Sequence, residues 1–125
     1  MPGVTLDAGA LIAIERADRR MQALLDEAHA AGLPIDIPAG PLAQVWRSGS
    51  RQARLARTLH LTNVTVAALD EPTAKAAGTL CGQRDTYDPI DASVVLHARR
   101  HDQTVITSDP TDLRHLDAHL RIIEI

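Results

Sequence analysis

Five short runs of β-type residues, each separated from the next by a stretch of helical pattern, constrain this chain more than any other feature. The runs are Val4-Thr5-Leu6, Ile35-Asp36-Ile37, Val64-Thr65-Val66, Thr104-Val105-Ile106-Thr107 and Arg121-Ile122-Ile123-Glu124-Ile125. Helical patterns fill residues 8–31 (as two helices), 40–60 with a break at Ser48-Gly49-Ser50, 71–84, 89–101 and 110–119. Strands alternating with helices predict an α/β domain. Its centre is expected to be a twisted, mostly parallel sheet of four to five strands flanked by helices. In such sheets ligands collect beyond the carboxyl ends of the strands, at a topological switch point. The residues just after each strand are therefore the ones to examine.

Composition narrows the field. A length of 125 residues suits one domain over residues 1–125 and allows a core without staples. The apolar stretch Ala8–Ile14 is far short of the roughly 20 residues a membrane span needs. No basic segment precedes it, so neither a membrane anchor nor a signal peptide is expected. The single Cys81 cannot form an internal disulfide and fits a reducing, cytoplasmic setting. Aromatics are 2% of the chain, Trp46 and Tyr87 with no Phe, which removes the stacking platform of base-reading modules. The net charge of −3, from 13 basic against 16 acidic residues, gives no global attraction to nucleic acid. Such a partner has to be held locally, by a basic patch or through metal ions. No glycine fingerprint, phosphate loop or Gly-x-Ser-x-Gly elbow is present.

Acids stand where the topology rule points. Asp7 directly follows the first run, Asp109 follows the fourth after Ser108, and Asp88 and Asp91 open the helix that contains Val94, Val95 and Leu96. If the strands are parallel, Asp7 and Asp109 share one sheet edge, which Asp91 can join from a helix N-terminus. Carboxylates gathered there repel one another unless a divalent cation sits among them, and all-oxygen ligation favours Mg²⁺ or Mn²⁺. Capping is the competing explanation. Asp88-Pro89-Ile90-Asp91 and Asp109-Pro110-Thr111-Asp112 both read as N-cap, Pro at N1 and an acid at N3.

Three segments carry a resemblance to a known family. Leu6-Asp7-Ala8-Gly9-Ala10-Leu11-Ile12-Ala13, Asp88-Pro89-Ile90-Asp91-Ala92-Ser93-Val94-Val95 and Val105-Ile106-Thr107-Ser108-Asp109-Pro110-Thr111-Asp112-Leu113 resemble, in order and spacing, the signature stretches of PIN-domain proteins, in particular VapC-type toxins of toxin–antitoxin systems. The resemblance implies a Mg²⁺- or Mn²⁺-dependent endoribonuclease, homodimeric and inhibited by a small cognate antitoxin. By position, Asp7, Asp91 and Asp109 match the metal-binding acids, with Asp88 and Asp112 as auxiliary acids. Where the family usually carries a Glu, this chain has Gln44, whose amide oxygen can still accept a hydrogen bond or ligate a hard cation but brings no charge. Asp88 can supply that charge from one turn before Asp91. On this reading the ion orients the scissile phosphate of an RNA substrate and lowers the pKa of an attacking water. Gln44, Asp112 and Ser108 stand near the ion, and Ser108 or Thr107 can hold a water or a phosphate oxygen. The alternative is a catalytically weak or inactive PIN domain that binds protein or RNA as a regulatory module.

Other residues have plainer readings. Arg47, Arg51, Arg54 and Arg57 would align on one helical face if the break at Gly49 is small, as a solvated face, a phosphate-contacting ridge or a docking face for an acidic partner. His97/His101 and His115/His119 are i,i+4 pairs with no third zinc-type ligand near in sequence, so no zinc site is expected. Trp46 reads as core or interface, and Met21, Leu24, Leu25 and Ala28 as a core or dimer stripe. A phospho-receiver domain is disfavoured, because Asp7 has no paired acid and the only lysine, Lys75, lies on a helix.

Overall fold

A computed structural model describes residues 2–125. It contains five strands: β1 (Val4–Leu6), β2 (Ile35–Pro38), β3 (Val64–Ala67), β4 (Thr104–Thr107) and β5 (Ile122–Glu124). Seven helices connect them: α1 (Ala8–Glu15), α2 (Arg19–Ala30), α3 (Ala39–Val45), α4 (Ala53–Leu59), α5 (Glu71–Arg84), α6 (Pro89–His101) and α7 (Pro110–Leu116). A 3₁₀ turn over Ser50–Gln52 precedes α4. The strands form one sheet in the order β3-β2-β1-β4-β5, and every pairing is parallel. The chain grows outward from β1 on one side through β2 and β3, then returns to place β4 on its other side. That reversal makes the gap between β1 and β4 the switch point of the sheet.

The period-two alternation of the strands sorts side chains onto two faces. Val4, Leu6, Ile35, Ile37 and Ile106 pack against Ala10, Leu11 and Ile14 of α1, Met21, Leu25 and Ala28 of α2, and Leu55 of α4. Val105 belongs to the opposite layer with Ala77, Leu80 and Cys81 of α5, Val94, Val95 and Ala98 of α6, and Leu113 and Leu116 of α7. Thr5 and Asp36, directly paired across β1 and β2, fall on this second, α6-facing side. By the same alternation Asp7, one step past β1, projects on the side of α6. Gly3 admits the chain to β1. Its φ is +100°, and a Cβ there would stand 2.2 Å from the Pro34 carbonyl oxygen, which accepts a hydrogen bond from the Val4 N–H.

Two helical expectations are corrected. The 110–119 segment is helical only to Leu116, because Asp117 leaves the helix to accept hydrogen bonds from Arg99 Nε at 2.8 Å and from the His119 N–H. His115 and His119 are therefore not a helical pair, and His115 Nε2 instead lies 2.8 Å from the Arg84 carbonyl oxygen. The break in 40–60 is also wide. Ser48 takes a left-handed φ of +61°, and the buried Gln52 clamps the turn, accepting from the Arg47 and Ser48 N–H groups and donating to Glu15 and the Val45 carbonyl. Arg47 lies before this turn, Arg51 within it, and Arg54 and Arg57 on α4, so the four arginines do not share one helical face. Trp46 caps α3 at 37% exposure and is not a core residue. Among the described residues, no helix is long and apolar enough to cross a membrane.

Candidate functional site

Three helix N-termini converge on the carboxyl edge of the sheet around β1 and β4, and each brings acids. Asp7 is the N-cap of α1, and its Oδ1 accepts from the Ala10 N–H at 3.0 Å. Its Oδ2 accepts from the hydroxyl of Thr107, the last residue of β4, at 2.5 Å. The register explains the encounter: Leu6 pairs with Ile106, so the residues one step further stand side by side. Thr107 Oγ1 also accepts the Asp109 N–H at 3.0 Å, so a single hydroxyl ties Asp7 to the backbone of Asp109.

The two Asp-Pro-x-Asp tetrads have the same sequence pattern and different fates. Asp88 caps α6 fully, its Oδ1 accepting from the N–H groups of Ile90 and Asp91. Asp109 occupies the N-cap position of α7 but makes no side-chain capping bond. Capping thus accounts for one oxygen of Asp88 and leaves the exposed carboxylate of Asp109 free for other ligands. Asp91 and Asp112 sit in the first turns of α6 and α7, where the helix dipoles favour negative charge.

The electrostatics record the crowding. Burial raises the Asp7 carboxyl above its ordinary 3.8; hydrogen bonds from Thr107, Ala10 and Gly9 offset this only in part, and the charge of Asp109 adds to it. Asp91 is pushed up to about 7, first by burial, then by the charges of Asp88, Asp7 and Asp112 and by a hydrogen bond its protonated form shares with Asp88. Asp7, Asp88, Asp91, Asp109 and Asp112 therefore form one electrostatic group. Its members stand in a ring wider than a single coordination sphere. Among the described residues, the three potential ligands whose donor atoms lie within 4.8 Å of one another are instead Asp36, His97 and His101.

Gly9 and Ser108 close one side of the acidic ring. A Cβ on Gly9 would lie 2.2 Å from Ser108 Oγ and 3.2 Å from Ser108 N, so only glycine lets α1 start this close to the β4–α7 turn. Ser108 is exposed and does not cap α7. A cleft of about 370 Å³ opens beside them, lined also by Ile12, Ala13, Arg16, Asp18 and Ile125. Gln44 lies exposed on α3 and makes no side-chain hydrogen bond with any of the five acids. An all-oxygen donor set at three helix N-termini, with one carboxyl pushed up to about 7 by burial and by the charges beside it, suits a hard divalent cation.

Sequence reasoning missed two things. Arg16 flanks the cleft from the end of α1, with nothing in its local pattern to mark it. Asp36 was counted only as a strand residue, yet an acid in the middle of a β-run that is otherwise Ile-x-Ile was a signal. Parallel strands covered on both faces read as nearly continuous apolar runs.

A sequence model of the PIN domain matches residues 4–118. No curated protein matches the chain in sequence. Several solved structures share its fold. One is VapBC2 from Rickettsia felis bound to a DNA fragment from its promoter, with a TM-score of 0.74 at 16% identity, covering 98% of each chain. DNA-bound VapBC from Salmonella typhimurium gives 0.71 at 16% identity, covering 99% of this chain and 98% of that one. A toxin–antitoxin complex from Klebsiella pneumoniae gives 0.69 at 18% identity, with 98% and 100% covered.

Proposed function

Since the chain belongs to the PIN domain family, we propose that it is a metal-dependent endoribonuclease acting as the toxin of a toxin–antitoxin pair. One observation carries the reading: Asp7, Asp88, Asp91, Asp109 and Asp112 gather at one sheet edge, where burial first and then the charges of Asp88, Asp7 and Asp112 raise Asp91 to about 7, and Asp109 adds to the rise at Asp7. Asp7, Asp91 and Asp109 would hold Mg²⁺ or Mn²⁺, with Asp88, Asp112, Ser108 and Gln44 as outer contributors. The bound ion would supply Lewis-acid chemistry, activating water and stabilising charge on a phosphodiester in flight.

The chain's own residues set the stage. Thr107 fixes the rotamer of Asp7 and, through the Asp109 N–H, the entry to α7. Asp88 anchors the first turn of α6 and so orients Asp91. The Ser108 hydroxyl, exposed at the cleft, can donate to a phosphate oxygen, and Arg16 supplies a positive charge along that cleft. Aromatic scarcity fits recognition of RNA by phosphate geometry and shape. Likeness to chains of VapBC and other toxin–antitoxin complexes supports an antitoxin as partner; a homodimer as the working unit is part of the same proposal.

Structured RNAs incubated with Mg²⁺ or Mn²⁺ test the proposal, with Asp7→Asn as control. Cleavage that depends on metal and is lost in the control is expected; equal products in both would overturn it. A second reading, a PIN domain that binds without cutting, draws on the neutral, outlying Gln44. Calorimetric titration separates the two, since that reading predicts no heat at millimolar Mg²⁺.

A further inference from the structure

The polar residues under the C-terminal half of α6 make no hydrogen bond with the acidic ring. Asp36 Oδ2 lies 2.8 Å from His97 Nε2, with both side chains nearly buried, and it accepts from Gln103 Nε2 at 3.1 Å. Gln103 is itself held by the Thr5 hydroxyl, which donates to Gln103 Oε1 at 2.7 Å, and by the Pro2 carbonyl, to which Gln103 Nε2 donates. One turn beyond His97, the His101 ring stacks on the His97 ring with centroids 4.0 Å apart and planes at 21°.

His101 Nδ1 stands 2.9 Å from the His97 carbonyl oxygen. A carbonyl can only accept, so Nδ1 carries the hydrogen, and the neutral ring presents its Nε2 lone pair. A backbone carbonyl holding the far nitrogen of an imidazole is the usual outer support of a metal-ligating histidine. Gln103 does the same for the carboxylate. The donor atoms of Asp36, His97 and His101 all lie within 4.8 Å of one another.

We propose that Asp36, His97 and His101 form a second metal site, for a borderline divalent transition ion of the Zn²⁺ class. Two imidazoles and one carboxylate, with a fourth position open to water at the exposed His101 side, match that class and not Mg²⁺. Ligands about 2.0–2.1 Å from a tetrahedral ion stand roughly 3.3 Å apart, so His97 and Asp36 need part by only about half an ångström to admit the ion in place of their shared hydrogen. The exposed His101 ring turns out of its stack on His97 to bring its donor in from within 4.8 Å. The acidic ring and this site occupy opposite ends of α6: His97 and His101 lie about 9 and 15 Å along the axis from Asp91. An ion here fastens α6 to β2 and fixes the axial position of the helix that carries Asp88 and Asp91.

Titrating Co²⁺ into untagged, chelator-treated protein in millimolar Mg²⁺ tests it through the visible spectrum. One ion per chain with tetrahedral-type bands, displaced by Zn²⁺, is expected. His101→Ala, a change at an exposed position, and Asp36→Asn should each weaken binding at least tenfold, while Asp91→Asn leaves it unchanged. Absence of Co²⁺ bands in the wild type would overturn the proposal. So would equal affinity in His101→Ala, or loss of the bands in Asp91→Asn.

Discussion

Replacing Asp91 by Asn should stabilise the metal-free protein, and should do so only toward neutral and alkaline pH. The Asp91 carboxyl titrates at 3.8 when free of the fold and at about 7 within it. At about 1.4 kcal/mol per pH unit this gap corresponds to about 4 kcal/mol. Asp91 is only partly buried, and solvent screening reduces the figure to about 2 kcal/mol. The sign follows from proton counting. Between pH 4 and 7 the folded chain holds a proton that the unfolded chain has released, so stability falls as pH rises through that window. Below pH 4 both states are protonated and nothing is lost; above pH 7 the full cost of a partly buried charge beside Asp88, Asp7 and Asp112 is present. Asn keeps the shape and never ionises. Urea unfolding in excess chelator, at pH 4.5, 6 and 8, should show the variant matching the wild type at the lowest pH and exceeding it by about 2 kcal/mol at the highest. Adding Mg²⁺ should recover the difference in the wild type alone. A constant offset across pH, or a variant less stable than wild type at pH 8, would refute the electrostatic account.

Two further substitutions probe the same edge. Thr107→Val removes one hydroxyl and leaves both the Asp7 carboxylate and the Asp109 N–H without their partner. It should cost about 1–3 kcal/mol in urea unfolding and, by raising the Asp7 carboxyl further, move the pH optimum of any metal-dependent cleavage upward. Gly9→Ala would gain about 1 kcal/mol in an open helix. Here the added methyl meets Ser108 Oγ at 2.2 Å, so a net loss of about 1–2 kcal/mol is expected. Gly9→Ala/Ser108→Ala should return most of it, as measured in a double-mutant cycle.

Local signals carried most of the fold. All five β-runs became strands, the central β1, β2 and β4 buried as apolar runs should be and β3 and β5 as less buried edges. The helix at 71–84 and the one at 89–101 begin at Asp caps followed by proline at N1 or N2, and both ranges appear as read. The errors share a cause: a distant partner overrode a local pattern. Arg99 drew Asp117 out of the last helix, and Gln52 folded the arginine segment into a turn by reaching Glu15. At the candidate site, position along the chain named the acids, since strand ends and helix starts are visible in sequence. Which of the two Asp-Pro-x-Asp tetrads uses its first Asp as a cap was not visible, since the pattern is the same in both while only Asp88 makes the capping bonds. Asp36 became a neighbour of His97 across 61 residues, a meeting that no spacing rule contains.

The central pairing of the sheet has a consequence in time. Asp7 waits for Thr107 across 100 residues of chain. At synthesis rates of about 5–20 residues per second, that interval is roughly 5 to 20 seconds on the ribosome. Until β4 emerges, β1 has β2 as its only possible neighbour, and the acidic ring lacks Asp109, Asp112 and the hydroxyl that orients Asp7. A nascent chain stalled before residue 104 therefore carries no assembled centre. For a protein proposed to cut RNA, the order of its strands makes Asp109, the last of the proposed metal-binding acids, available only after β4 has emerged.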